Sequence, residues 1–174
     1  MTNLDILLEQ YLGSFQNQYL ETFFGFLTKF GSTYAAIIIA LVIVFFLWRK
    51  NKVLTKYFAL FFLGNELAVY LIKNVFERLR PFGALKYGEF DGSLPSGHAA
   101  ASMFLYGFAC YLLVRLYPKG VRRNAIISSL VLLVVLIGFS RLYLDIHYLS
   151  DMLAGYVLGG LFLFGLIRSA KNLF

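Results

Sequence analysis

The chain has 174 residues, 60% of them hydrophobic, a mean hydropathy of +0.73 and a formal net charge of +7. This is one domain's length and too apolar for an ordinary water-soluble domain. The charge does not point to nucleic acid either, because the basic residues punctuate apolar segments instead of forming a patch; the expected partner is the lipid bilayer.

At about 20 apolar residues per crossing, the length holds roughly five or six transmembrane helices, which predicts an all-α integral-membrane helical bundle forming a single domain over residues 1–174. The first basic residue is Lys29, so the N-terminus lacks the positive stretch of a signal peptide and no cleavage is expected. Residues 4 to 30 mix Leu, Phe and Tyr with Asp5, Glu9 and Glu21, predicting amphipathic helices at the interface or one weak first span. After Gly31-Ser32, the apolar run 33 to 48 is the first clear span, and a second runs from about Leu54 to Phe76. The connection from Arg80 to Pro95 is polar and too irregular to lie unprotected in lipid. Further spans are predicted from about His98 to Tyr117, Ala125 to Tyr143 and His147 to Ile167. Cys110, the single cysteine, sits inside an apolar run and reads as a small core residue, and no local cluster of Cys, His and carboxylate has the spacing of a zinc site.

Sidedness follows from the connections. Arg49, Lys50, Lys52 and Lys56 follow the first clear span, Arg115, Lys119, Arg122 and Arg123 follow the third, and Arg168 and Lys171 lie in the tail, all without an intervening Asp or Glu. Alternating helices place these regions on one side, and the basic bias makes it cytoplasmic. The opposite side then receives Lys73 and Arg80-Pro81, Pro95-Ser96-Gly97-His98, and Ser140-Arg141 with His147 and Asp151.

These residues form an anion site in chemical terms. Pro81 disfavours helical geometry at Arg80, letting it fold back toward the long Lys73 stem. Arg141 adds a planar fork suited to phosphate oxygens. Gly97 removes a side chain and Ser96 adds a hydroxyl where a helix begins, so backbone N–H groups and the positive helix end can meet an anion. On a continuous helix His147 and Asp151, four residues apart, share a face; the carboxylate then holds one imidazole nitrogen and leaves the other as a nucleophile. His98 approaches from another helix as a proton donor to the departing oxygen.

The three ordered blocks between residues 73 and 151, with eleven specified residues, resemble the signature of the type 2 phosphatidic acid phosphatases, lipid phosphate phosphatases related to vanadium haloperoxidases. The resemblance implies a cofactor-free, metal-independent reaction through a phosphohistidine. His147 would attack phosphorus, Asp151 would orient it, and His98 would act as acid and then activate water. Lys73, Arg80, Ser96, Gly97 and Arg141 would hold the phosphoryl oxygens, with Ser140 as support beside Arg141. A compact bacterial member, in the inner membrane with its site facing the periplasm, would act on lipid A 1-phosphate, undecaprenyl diphosphate or phosphatidylglycerol phosphate, the first being slightly favoured. Transfer of phosphate to a second lipid and a non-catalytic carrier or scaffold are the competing readings; a haloperoxidase fits less well, since those relatives are soluble.

Other polar residues have plainer readings. Glu66, beside Asn65 and seven residues before Lys73 on nearly the same face, is either a packing hydrogen bond or support for the site. Glu77, Arg78 and Asp145 are expected to contact solvent or headgroups. Phe82, Lys86, Tyr87, Glu89, Phe90 and Asp91 are either a lid over the site or an ordinary interfacial loop.

Overall fold

The computed structural model describes residues 2–171 and 173. Among these the chain forms seven α-helices: α1 (Asn3–Gly13), α2 (Gln18–Leu27), α3 (Thr33–Trp48), α4 (Lys52–Phe76), α5 (Gly97–Leu116), α6 (Val121–Tyr143) and α7 (Leu149–Ala170). Two short 3-10 turns, Thr28–Gly31 and Phe82–Tyr87, complete the helical elements. Capping side chains set several starts: Asn17 accepts from Leu20 N, Ser32 from Ala35 N, and Asn51 from Val53 N and Leu54 N.

Helices α4 to α7 are long and apolar enough to cross a membrane. By a rise of about 1.5 Å per residue, α3 alone reaches about 24 Å, short of the hydrocarbon thickness of about 30 Å. It is paired with Gln18–Gly31 across a 42° bend at Ser32, and the two together make a fifth, broken span. Among the described residues there are therefore four or five spans, at or below the lower end of the expected range. Residues 4 to 30 divide accordingly: α1 stays outside the spans, and α2 leads into the bent one.

Helix α5 is central and packs against α3, α4, α6 and α7. Its approach to α7 is close because Gly155 and Gly159 face it: a Cβ on either would meet Ser96 O at 2.5 Å or Ala100 O at 2.3 Å. This contact lets Ser96 N donate to Asp151 O at 3.0 Å, fixing the start of α5 against the start of α7. Toward the basic end the bundle is filled by Leu47, Leu54, Phe58, Phe104, Phe108 and Leu166. Polar buried groups gather at the other end, where α4 and α6 finish and α5 and α7 begin. Leu41, Phe45, Leu63, Leu67, Val135, Leu161 and Phe164 point outward, as lipid-facing residues do.

Two expected boundaries shift for physical reasons. Helix α6 starts at Val121, taking Arg122 and Arg123 into its first turn, where their long stems reach outward. Helix α7 starts only at Leu149, because Asp145 adopts φ 55° and breaks the chain between α6 and α7. His147 consequently lies in a turn, not on a helix, and its pairing with Asp151 does not arise from a shared helical face.

Candidate active site

The site grows from four chain breaks at one end of the bundle. Helix α4 stops at Phe76 because Glu77 takes a left-handed φ of 43°, four residues before Pro81, so the break attributed to the proline comes earlier. The chain then folds back over the bundle through residues 77–96. Arg80 enters the centre from this segment, His98 from the first turn of α5, Arg141 from the last turn of α6, and His147 from the turn before α7. A cavity of about 400 Å³ is lined by Lys73, Arg80, Gly97, His98 and His147, with Glu89 and Asp91, and extends to Glu66, Val69 and Ala101; Arg141 reaches it through Glu89.

His147 is buried and its two ring nitrogens have different surroundings. Arg80 Nη1 lies 3.1 Å from Nε2. A guanidinium only donates, so Nε2 accepts and the proton of the neutral ring sits on Nδ1. Nδ1 faces Ser93 Oγ at 3.3 Å and Asp151 Oδ2 at 3.6 Å. Ser93 in turn donates to Asp151 Oδ2 at 2.5 Å, and Tyr148 N donates to the same oxygen at 2.9 Å. The carboxylate thus orients the imidazole partly through a serine hydroxyl, and the Nε2 lone pair is held by Arg80 at the wall of the cavity. Burial, reinforced by the charges of Arg141, Arg80 and Lys73 and opposed by the neighbouring Asp151 carboxylate, pushes the His147 pKa down to about 4. The ring is neutral at physiological pH.

The cations are held by carboxylates of the loop. Lys73 Nζ donates to Asp91 Oδ2 at 2.8 Å and to Gly92 O at 2.6 Å. Arg80 pairs with Asp91 Oδ1 at 2.5 Å and Glu89 Oε2 at 2.9 Å. Arg141 pairs with Glu89 Oε1 and donates to Thr28 Oγ1 at 3.2 Å, while its Nε is buried without a partner. Burial would raise both acids, yet Arg141 and Arg80 hold Glu89 below the usual carboxylate range, and Lys73 and Arg80 do the same for Asp91. Glu89 and Asp91 therefore stand among the three cations as anions. Phe82, Lys86 and Phe90 of the same segment point outward and are exposed.

Of the remaining candidates, Gly97 lines the cavity, and helix geometry leaves the N–H groups of Gly97 and His98 without intrahelical acceptors. The Ser96 hydroxyl caps α5 by accepting from Ala99 N at 3.5 Å, and its own N–H is spent on Asp151 O. Ser140 is buried and donates to Ile137 O at 2.6 Å within its own helix. Glu66 lines the cavity below Lys73 and accepts from Asn65 Nδ2 at 3.0 Å. Among the described residues no group of three or more His, Cys, Asp or Glu is placed to hold a metal ion.

Residues outside the sequence-based set complete the arrangement. Arg78, expected at solvent, instead reaches Asp151 Oδ1 at 2.6 Å and Asp5 Oδ2 at 2.9 Å, because the break at Glu77 turns it back toward the bundle. Asp145 accepts from Gly83 N at 2.9 Å, tying the loop to the α6–α7 turn, whereas Glu77 is exposed. Thr2-x-x-Asp5 has the capping-box pattern, a signal that α1 begins there but none that Asp5 reaches the centre.

The family described as the PAP2 superfamily matches residues 53–174, which includes every cavity cation and both histidines. The chain belongs to the PAP2 superfamily. Phosphatidylglycerophosphatase B of Bacillus subtilis is 37% identical over 101 residues, covering 56% of this chain and 48% of the relative. An undecaprenyl-diphosphatase of Sulfolobus acidocaldarius is 30% identical over 138 residues, covering 77% of this chain and 63% of the relative. The chain thus spans about half to two thirds of the length of these two relatives. Among solved structures, a transmembrane PAP2-type phosphatidylglycerolphosphate phosphatase from Bacillus subtilis superposes with a TM-score of 0.86 at 24% identity, covering 97% of this chain and 85% of that one. LpxE of Aquifex aeolicus superposes at 0.71 and 22% identity, covering 96% of both chains. These superpositions establish the PAP2 membrane fold for this all-helical, multi-pass chain.

Proposed function

We propose that this PAP2 protein is a lipid phosphatase of the bacterial inner membrane, releasing phosphate at the periplasmic face from an amphiphilic lipid phosphate or diphosphate. The observation that carries this reading is His147, neutral and buried, with Nδ1 turned to Ser93 and Asp151 and Nε2 turned to Arg80 at the wall of the cavity that His98 also lines.

The substrate phosphate displaces Glu89 and Asp91 from Lys73, Arg80 and Arg141, which then hold its non-bridging oxygens; Arg80 gives up its hydrogen bond to His147 Nε2 for a phosphate oxygen and so frees that lone pair. The Nε2 lone pair attacks phosphorus as the lipid-oxygen bond to phosphorus breaks, and His98 gives a proton to that departing oxygen. The Nδ1 proton stays with the ring, facing Ser93 and Asp151, while positive charge develops on the imidazole. In the second step neutral His98 takes a proton from water, the water oxygen bonds to phosphorus, and the N–P bond breaks to return His147. The three cations supply charge stabilisation without a metal ion.

A cavity of about 400 Å³ suits a phosphate and part of a headgroup, leaving acyl chains in the bilayer. The named relatives support phosphatidylglycerol phosphate and undecaprenyl diphosphate ahead of lipid A 1-phosphate as substrates. The test is phosphate release from all three lipids by one detergent-purified preparation, with and without a chelator and beside His147→Ala. The reading expects chelator-insensitive turnover of at least one lipid, absent in the variant. No turnover of any, or turnover undiminished in His147→Ala, overturns it.

A further inference from the structure

The proposed chemistry uses one oxygen of Asp151; the other belongs to a network of Arg78, Ser150 and Asp5, none of which is a specified residue of the family signature. Asp151 is fully buried, and its Oδ1 accepts from Arg78 Nη1 at 2.6 Å. The same Nη1 donates to Ser150 Oγ at 2.7 Å, and Nη2 donates to Asp5 Oδ2 at 2.9 Å. Asp5, only 2% exposed, also accepts from Ser150 N at 3.0 Å and Ser150 Oγ at 2.9 Å. The Arg78 guanidinium lies 4.7 Å from the Tyr148 ring centroid, which restricts its movement on the remaining side. One planar fork therefore joins α1, the segment after α4 and the start of α7. Helix α1 also closes the back of the nucleophile: Asp5, Leu8, Glu9 and Leu12 line a small gap that His147 and Asp145 border from the other side.

We propose that Arg78, anchored by Asp5 of α1, is a positioning residue that holds the Asp151 carboxylate so that Oδ2 and its Ser93 partner keep facing His147 Nδ1 while Nε2 attacks. The proposal rests on the phosphatase reading above. Ser93 Oγ and Tyr148 N hold Oδ2, and Arg78 fixes the plane of the carboxylate by holding Oδ1; without that second hold the group can twist about its Cβ–Cγ bond and turn Oδ2 off the line to His147. A guanidinium shared between two carboxylates provides both direction and charge. It also offsets part of the Asp151 charge that would otherwise favour a proton on His147 Nε2, where it blocks attack. The other charged groups around His147 are Arg80, Glu89 and Asp91 from the loop, Lys73 and Glu66 from α4, His98 from α5, Arg141 from α6, Glu9 from α1 and Asp145. All of them remain in Arg78 variants.

The test compares wild type, Arg78→Gln, Arg78→Lys, Asp5→Asn and Asp5→Asn/Arg78→Gln, with lipid substrate and folding checked by the thermal midpoint. Arg78→Gln is expected to lower kcat about 100-fold with KM changed less than about threefold, and to move the acidic limb of kcat/KM about one unit toward higher pH. Arg78→Lys keeps the charge but not the fork, and recovers about tenfold of the loss and most of the limb position. Asp5→Asn lowers kcat about tenfold, and the double variant is no worse than Arg78→Gln, since both act through one path. Wild-type kcat and limb in Arg78→Gln, or a loss equal at every pH that lysine does not relieve, overturns the proposal. Should the glutamine variant fail to fold, wild-type kcat in both Arg78→Lys and Asp5→Asn does so. Turnover surviving in His147→Ala sinks the phosphatase reading instead, whatever the Arg78 variants do.

Discussion

The two ends of the bundle use the same helices for opposite purposes. Toward the basic end, α3, α4, α5 and α7 meet through Leu47, Leu54, Phe58, Phe104, Phe108 and Leu166, a dry aromatic and aliphatic core that fixes helix positions. At the other end the helices stop or break, at Phe76, Ser96, Tyr143 and Tyr148, and buried polar groups fill the space their side chains leave. The difference teaches that the site depends on helix ends: left-handed turns at Glu77 and Asp145 aim Arg78, Arg80 and His147 inward. The apolar end supplies rigidity without taking part in the chemistry.

Substitutions at the two ends should separate activity from stability. His147→Ala is expected to lower phosphate release by about 10⁴-fold or more while leaving the thermal midpoint near that of wild type, because it removes the proposed nucleophile and a desolvated polar ring. Phe104→Ala, at the apolar end, is expected to lower stability by about 3 kcal/mol, read as a lower thermal midpoint in detergent, with kcat retained at temperatures where the protein stays folded. Equal losses of activity and stability in both variants would erase the distinction between the ends.

Acid should act on the site end first. The folded pKa of His147 lies at about 4 against an ordinary 6.5, so the unfolded chain takes up the proton first and stability falls as pH drops from 6.5 toward 4. Asp5, Glu89 and Asp91 are held below the usual carboxylate range, so the stability they add is present above that range and lost as pH falls through their folded values. Both effects have the same sign. The thermal midpoint should decline steadily from pH 6.5 to 4, and His147→Ala should flatten the upper part of that decline.

A smaller effect is expected at Glu89, which occupies two of the cations before substrate arrives. Glu89→Gln removes the competing charge from Arg80 and Arg141, and inhibition by orthovanadate, a phosphate mimic, should tighten about three- to tenfold. Unchanged or weaker inhibition would mean that Glu89 serves the bound state as well.

Much of this arrangement was legible in the sequence because it depends on spacing and alternation. Basic connections placed Lys73, Arg80, His98, Arg141, His147 and Asp151 at one end, and the structure does gather them there. The turn holding His147 was not legible, since the left-handed Asp145 that breaks the helix lies in a segment with no glycine or proline. Arg78 was hidden for another reason: its partner Asp5 is 73 residues away, and only the fold brings them together. Ser93, Glu89 and Asp91 lie in a connection without periodicity, where nothing marks which side chains turn inward.

If phosphate passes through an imidazole of the protein before reaching water, the stereochemical course at phosphorus records it. A lipid thiophosphate made chiral with oxygen isotopes would be hydrolysed in isotopically labelled water and the configuration of the released thiophosphate read. Two successive in-line displacements, first by His147 and then by water, predict overall retention. Inversion would mean that water attacks the lipid phosphate directly, and would contradict the account.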